Sequence, residues 1–325
     1  MKLACPLVVA ALAVACCSSA ADDPAPPDSS ISTSSAVVDS GGSTDAPSGA
    51  PEPSTSTPGG ALFDESLRAA VPNQPSGYPV AYYGDSLAHS AQEHVEEFLD
   101  AGLRFRFINR AFPGTALCDW LDEIERDRRD EDLWAVILVF SNNTFTPCMA
   151  DASGEPLTEE AADAKFRDDL TNVVADFRSD GIRVYLPTLP LTRAAAESGS
   201  DDIAVANDIF ADLAADDGGV VLIDAAASVL GPDGEYVEAL PCLPIEPCVG
   251  GVDENGVAVN LVREPDGAHF CTGGYGNGVE IVPGNCPGWS SGAFRYAAAI
   301  TGPIIEDGYR QWAADPASQD PVPIP

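Results

Sequence analysis

Trp134-Ala135-Val136-Ile137-Leu138-Val139-Phe140 runs directly into Ser141-Asn142-Asn143-Thr144. Seven apolar side chains in an unbroken row do not alternate as those of a half-exposed strand would. They predict a strand buried on both faces, as in a sheet with helices above and below it. The abrupt turn to polar residues marks its carboxyl end.

The neighbouring sequence repeats the pattern more weakly. Pro79 to Tyr83, ending at Gly84, reads as a strand, as do Phe105 to Phe112, Arg183 to Leu189 and Val220 to Ile223. Helical stretches separate them: Leu87 to Ala101, Asp119 to Arg128, Thr158 to Ser179 and Asp201 to Ala215. Leu157-Thr158-Glu159-Glu160-Ala161 supplies a start signal for the third helix. Phe294 to Trp312 reads as a closing helix, and residues 231–288, rich in Gly, Pro and Cys, as irregular chain. Strands alternating with helices imply a parallel, doubly wound α/β sheet. Ligands of such sheets bind outside the carboxyl ends of the strands.

The ends of the chain have a different character. Lys2 precedes a short apolar run, Leu7 to Ala15, too short to span a bilayer and suited to an export signal over residues 1–20. Leu12-Ala13-Val14-Ala15-Cys16 resembles a lipoprotein box in which Cys16 becomes the lipidated first residue; Ser18-Ser19-Ala20 offers an ordinary cleavage site instead. Residues 21–75 begin with a long Ser/Thr/Pro/Gly/Ala stretch that cannot bury enough apolar surface to fold. It reads as a tether, spanning roughly 40 Å as a flexible coil. Residues 76–313 are expected to fold as one domain, with residues 314–325 as a frayed tail.

The 325 residues include 51 acidic and 16 basic side chains, a formal charge of -35. That surface repels phosphate backbones and anionic lipid, which argues against nucleic acid as a partner and leaves a lipid anchor as the route to a membrane. Three of nine cysteines fall in the signal region. The remaining six, Cys118, Cys148, Cys242, Cys248, Cys271 and Cys286, suggest disulfides in an exported domain. Close CxxC pairs are absent and there are three histidines, so no metal or cofactor is expected.

The residues after each strand carry the chemistry. Gly84-Asp85-Ser86-Leu87 places a serine at a helix start, where backbone N–H groups favour a developing oxyanion; a plain helix cap has the same composition. Pro113-Gly114 can turn an N–H toward the same pocket or form a simple turn, and an amide in Ser141-Asn142-Asn143-Thr144 can donate to an oxyanion or belong to a polar loop. Late in the chain, Asp266-Gly267-Ala268-His269 sets an acid three residues before a histidine, as a serine's base and its orienting group require. His89, one helical turn after Ser86, reads as a rim residue, and His94 as solvated. The charged helix 119–132 reads as a solvated face, and Gly274 to Gly278, with no preceding strand and no lysine, as a loop.

In order and spacing these four pieces resemble the SGNH (GDSL-type) hydrolase superfamily from about Tyr78 to Trp312. The resemblance implies a flavodoxin-like three-layer α/β/α sandwich with a five-stranded parallel sheet. It implies Ser86 as nucleophile, His269 as base and Asp266 as its orienting acid. The N–H groups of Ser86 and Gly114, with the Asn143 side chain, would form the oxyanion hole. The family's third block usually reads Gly-x-Asn-Asp; here it is Ser141-Asn142-Asn143-Thr144, and register favours Asn143 over Asn142 as donor. With strand order 2-1-3-4-5, the strands preceding Cys118 and Cys148 lie roughly 10 Å apart, so these two should pair. The sequence neighbours Cys242 with Cys248 and Cys271 with Cys286 should pair too. The activity implied is hydrolysis of carboxylic esters, of glycans, lipids or small molecules, by an acyl-enzyme route outside the cell. The alternatives are an O-acyltransferase using the same triad and a silent glycan-binding surface protein.

Overall fold

The computed structural model describes residues 77–103, 105–199, 202–270 and 289–314. The chain divides into two units, Met1–Ser54 and Thr55–Pro325, and every described residue belongs to the second. The expected signal, Cys16, the tether, Cys271, Cys286, the Gly274 to Gly278 segment and the tail after Ala314 lie outside the described residues.

Five parallel strands form the centre: β1 (Pro79–Gly84), β2 (Arg106–Ala111), β3 (Ala135–Val139), β4 (Arg183–Pro187) and β5 (Val220–Ile223). Their order is β2-β1-β3-β4-β5, as the resemblance implies. All five residues of β3 are buried, as their unbroken apolar run requires. The edge strand β2 mixes exposed and buried positions, which is why its sequence reads less cleanly.

The chain leaves β1 toward β2 on one side and runs from β3 through β4 to β5 on the other. Right-handed crossovers then put the intervening helices on opposite faces. Accordingly, α1 (Ser86–Leu103) packs along the closing helix α6 (Ser291–Ala314), while α3 (Glu159–Ser179) packs between α2 (Leu121–Asp130) and α5 (Asp202–Asp216). The side chain of Thr158 caps α3 by accepting from the Ala161 N–H, consistent with the start signal there. A short helix, α4 (Arg193–Ser198), follows β4. Within the segment that reads as irregular, β6 (Ala239–Pro241) and β7 (Val259–Leu261) make a small antiparallel pair. Buried Glu246 anchors this lobe to α6, accepting from Arg295 Nε at 2.7 Å and Ser291 Oγ at 3.0 Å. Cys118–Cys148 and Cys242–Cys248 form disulfides. No helix among the described residues is long and apolar enough to cross a membrane.

Two expectations are corrected. His94 is not solvated: it is 5% exposed and lies against the Trp289 and Phe294 rings. It falls on the inner face of α1 with Ala91, Val95 and Phe98, all buried. The helix after Cys118 is not purely a solvated face either. Its Asp127 is buried and accepts from the Tyr83 hydroxyl at 2.5 Å and from Arg110 Nε at 3.0 Å.

Candidate active site

Gly84 ends β1, and its place there is set by close packing. A Cβ at this position would stand 2.4 Å from the Val139 carbonyl oxygen and 2.2 Å from the Ala88 Cβ. Its φ is outside the left-handed region, so the packing rather than the backbone dihedrals requires a glycine here. Asp85 follows, fully buried, and Ser86 opens α1. The Asp85 carboxylate accepts from Leu87 N at 3.0 Å, from Ser141 N at 2.7 Å and from Ser141 Oγ at 2.5 Å. Burial pushes its pKa up against these bonds, which stabilise the charged form. The Phe112 N–H donates to the Gly84 carbonyl at 3.0 Å. The exits of β2 and β3 are thus both tied to the turn that carries Ser86.

His269 arrives from the other end of the chain. His269 Nε2 is 2.7 Å from Ser86 Oγ, and His269 Nδ1 is 2.6 Å from Asp266 Oδ2. Asp266 Oδ1 accepts the backbone N–H groups of Ala268 at 2.9 Å and His269 at 3.1 Å. One carboxylate oxygen shapes the loop while the other holds the imidazole. Burial raises the Asp266 pKa, but the His269 bond and the two backbone donors outweigh it and hold the carboxyl below its ordinary value. Gly267 has φ +73°, and a Cβ there would meet the Arg193 Cβ at 2.4 Å, so glycine is required on two grounds.

Two arginines brace this loop. Arg193 donates its backbone N–H to Gly267 O at 3.0 Å and its Nη1 to Pro265 O at 2.7 Å. Arg263 is buried, its guanidinium carbon 4.9 Å from the Phe270 ring centre and its Nη1 3.3 Å from Ala268 O. Burial lowers its pKa to about 10, with nearby Tyr236, Tyr296 and Asp266 opposing, so it is charged at neutral pH.

The structure joins Ser86, His269 and Asp266 by direct hydrogen bonds. Gly114, at φ +76°, and Asn143 sit on the loops after β2 and β3, the strands that flank β1. Asn142 gives one Nδ2 hydrogen to Asp163 Oδ1 at 2.7 Å. Asn143 accepts the Phe145 N–H on its Oδ1 at 3.2 Å, which leaves its Nδ2 as the donor end. His89 is half-buried on the Ser86 face of α1, with Gln92 Nε2 3.1 Å from its Nδ1, which fits a rim position. Burial lowers the His89 pKa, Glu93 opposes, and the charge of His269 adds to the lowering. Glu264 lies with Asp266 and His269 within metal-ligand spacing. Both nitrogens of His269 are already engaged, toward Asp266 and Ser86. The roles of Asp85, Asp163 and Arg263 were not read from the sequence.

The parallel α/β sheet thus carries a hydrogen-bonded Ser–His–Asp set at its carboxyl edge. The chain belongs to the family described as "protein of unknown function (DUF459)", whose model matches residues 79–278. No curated protein matches the sequence. Among solved structures the chain is similar to a Bacteroides fragilis protein provisionally described as an acylhydrolase. Identity is 13%, with 74% of this chain and 93% of that one covered and a TM-score of 0.44. It is also similar to a catalytic mutant of an acetylxylan esterase from Geobacillus stearothermophilus (14% identity, 47% and 78% covered, TM-score 0.38). A third is a lipase/acylhydrolase from Enterococcus faecalis (19% identity, 48% and 85% covered, TM-score 0.33).

Proposed function

We propose that the protein is an exported serine esterase that cleaves carboxylic esters through an acyl-enzyme on Ser86. One observation carries this reading: the unbroken relay from Ser86 Oγ to His269 Nε2 at 2.7 Å and from Nδ1 to Asp266 at 2.6 Å. Ser86 Oγ attacks the ester carbonyl carbon while its proton passes to His269 Nε2. Asp266, held ionised, keeps Nδ1 protonated and steadies the imidazolium. The tetrahedral oxyanion accepts from the Ser86 and Gly114 N–H groups and from Asn143 Nδ2. Collapse breaks the C–O bond to the alcohol, which leaves with the proton from His269. Water then repeats the sequence on the acyl-enzyme and releases the acid.

The substrate we favour is an uncharged ester, such as an acetylated glycan. Phe112 and Phe145, on the loops that carry Gly114 and Asn143, are 62% and 91% exposed and offer ring faces to a sugar or an acyl group. The charge of -35 opposes anionic esters. Export, with Cys16 lipidated in the reading we favour, is supported by the signal-like start and by the two disulfides, which persist in oxidising compartments.

The test is a panel of acyl esters of increasing chain length run beside acetylated polysaccharides, with fluorophosphonate labelling in parallel. Ser86→Ala should lose all labelling and reduce hydrolysis at least ~10³-fold. Hydrolysis that survives Ser86→Ala sinks the assignment of the nucleophile. A wild-type protein that neither labels nor hydrolyses would favour the silent glycan-binding alternative.

A further inference from the structure

Asn142 and Asp132 are the two non-glycine residues with positive φ among the described residues, Asn142 at +59°. Asp132 is exposed just beyond α2, whereas Asn142 sits in the loop after β3, between the residue bound to Asp85 and the oxyanion donor Asn143. Its Nδ2 donates to Asp163 Oδ1 at 2.7 Å, tying the loop to α3. Its Oδ1 is buried with no partner among the described residues.

The left-handed backbone and the unpartnered buried oxygen both cost stability at Asn142, and the charge-assisted bond to Asp163 offsets part of that cost. The left-handed region is open to glycine without steric cost, and asparagine merely tolerates it. Glycine would also remove the buried oxygen that lacks a donor. What asparagine adds is the bond to Asp163. Strain retained beside a site, where a simpler residue would relieve it, points to a functional constraint.

We propose that Asn142 and Asp163 form a positioning clamp for the oxyanion donor. Ser141 is fixed to the nucleophile turn through Asp85, and Asn142 is fixed to α3 through Asp163. Held at both points, the loop has one way to present Asn143, whose Oδ1 accepts the Phe145 N–H and whose Nδ2 is left as the donor end. The clamp rests on the reading of Ser86 as nucleophile.

Asn142→Gly tests it by ester kinetics, thermal melting and inhibition by a boronic acid that forms a tetrahedral adduct on Ser86. The expected result is a Tm close to that of wild type, since strain relief offsets the lost bond, with a kcat lower by about tenfold and a KM within about twofold. Affinity for the boronic acid should fall in step with kcat. Asp163→Ala should lose as much, and adding it to Asn142→Gly should lose no more. Asp163→Asn, which keeps an acceptor oxygen, should recover most of what Asp163→Ala loses. Should Asn142→Gly fail to fold, the two Asp163 variants give the same reading. An unchanged kcat, or a kcat loss matched by a fall in Tm, overturns the clamp alone. A wild-type protein without ester hydrolysis overturns the reading beneath it as well.

Discussion

Asp85→Asn would test whether the nucleophile turn and the oxyanion loop are one mechanical unit. The side chain keeps its shape but retains one acceptor in place of two. If that oxygen stays on Leu87 N, now 3.0 Å away, the new amide faces Ser141 N, now 2.7 Å from Oδ2, donor against donor. The Ser141 hydroxyl can rotate and accept, so its bond survives in reversed form. The loss is one charge-assisted hydrogen bond, ~1.5–3 kcal/mol, plus an orphaned buried N–H at ~1–3 kcal/mol. Relief offsets part of it, because burial already works against the Asp85 charge and raises its pKa. The net expectation is a loss of about 2–3 kcal/mol. Urea denaturation followed by tryptophan fluorescence should show a lower midpoint at unchanged slope. Ester kinetics on the folded variant should show kcat reduced more than KM, because both ends of the oxyanion site shift. Stability within about 0.5 kcal/mol of wild type together with an intact kcat would refute the coupling through Asp85.

Gly84→Ala puts a Cβ against the Val139 carbonyl and Ala88, where backbone must move. It should cost about 1–3 kcal/mol and lower kcat through displacement of Ser86; a wild-type melting curve would contradict the packing account. His94 is buried, which lowers its pKa, while Glu97 and Glu93 pull it up less strongly. The folded value lies below the unfolded one of about 6.5, so the stability gained from neutral His94 is present above that pH and lost as pH falls through the folded value. The Tm of wild type should therefore drop more steeply below about pH 6.5 than that of His94→Gln; parallel curves would show that His94 is not the group responsible.

The sheet was legible because burial on two faces demands continuous apolar runs, and β3 shows one without interruption. Ser86, Asp266 and His269 were legible as candidates because a serine at a strand end and an acid three residues before a histidine are local patterns. His94 was misread although the pattern was available: Ala91, Val95 and Phe98 mark the inner face of α1, and His94 falls on it. Asp127 escaped for a related reason. In the run Leu121–Asp130 of charged residues, nothing local says which one meets the Tyr83 hydroxyl arriving from β1. Asp85 and Asn142 look like a helix cap and a polar loop in sequence, since the same side chains serve both uses. Their roles depend on partners 56 and 21 residues away, which only the assembled sheet brings near. The β6–β7 pair has strands of three residues each, too short for period-two alternation to show.

The exposure of the acid bears on how the relay works. The Asp266 side chain is 46% exposed, so water and salt screen its charge and its electrostatic help to an imidazolium is modest. Its leverage is geometric. Oδ1 is fixed by two backbone N–H groups of its own loop, and that leaves Oδ2 one place to stand, on His269 Nδ1. The imidazole then has one orientation, with Nε2 toward Ser86. Such an arrangement is only as accurate as the loop is rigid. The loop carries a glycine that no other residue can replace at φ +73° against Arg193. Arg193 grips its carbonyls from outside, and buried Arg263 supports Ala268 from within. In a chain with 16 basic residues against 51 acidic ones, two arginines on a single short loop supply by stiffness what an exposed carboxylate cannot supply by charge.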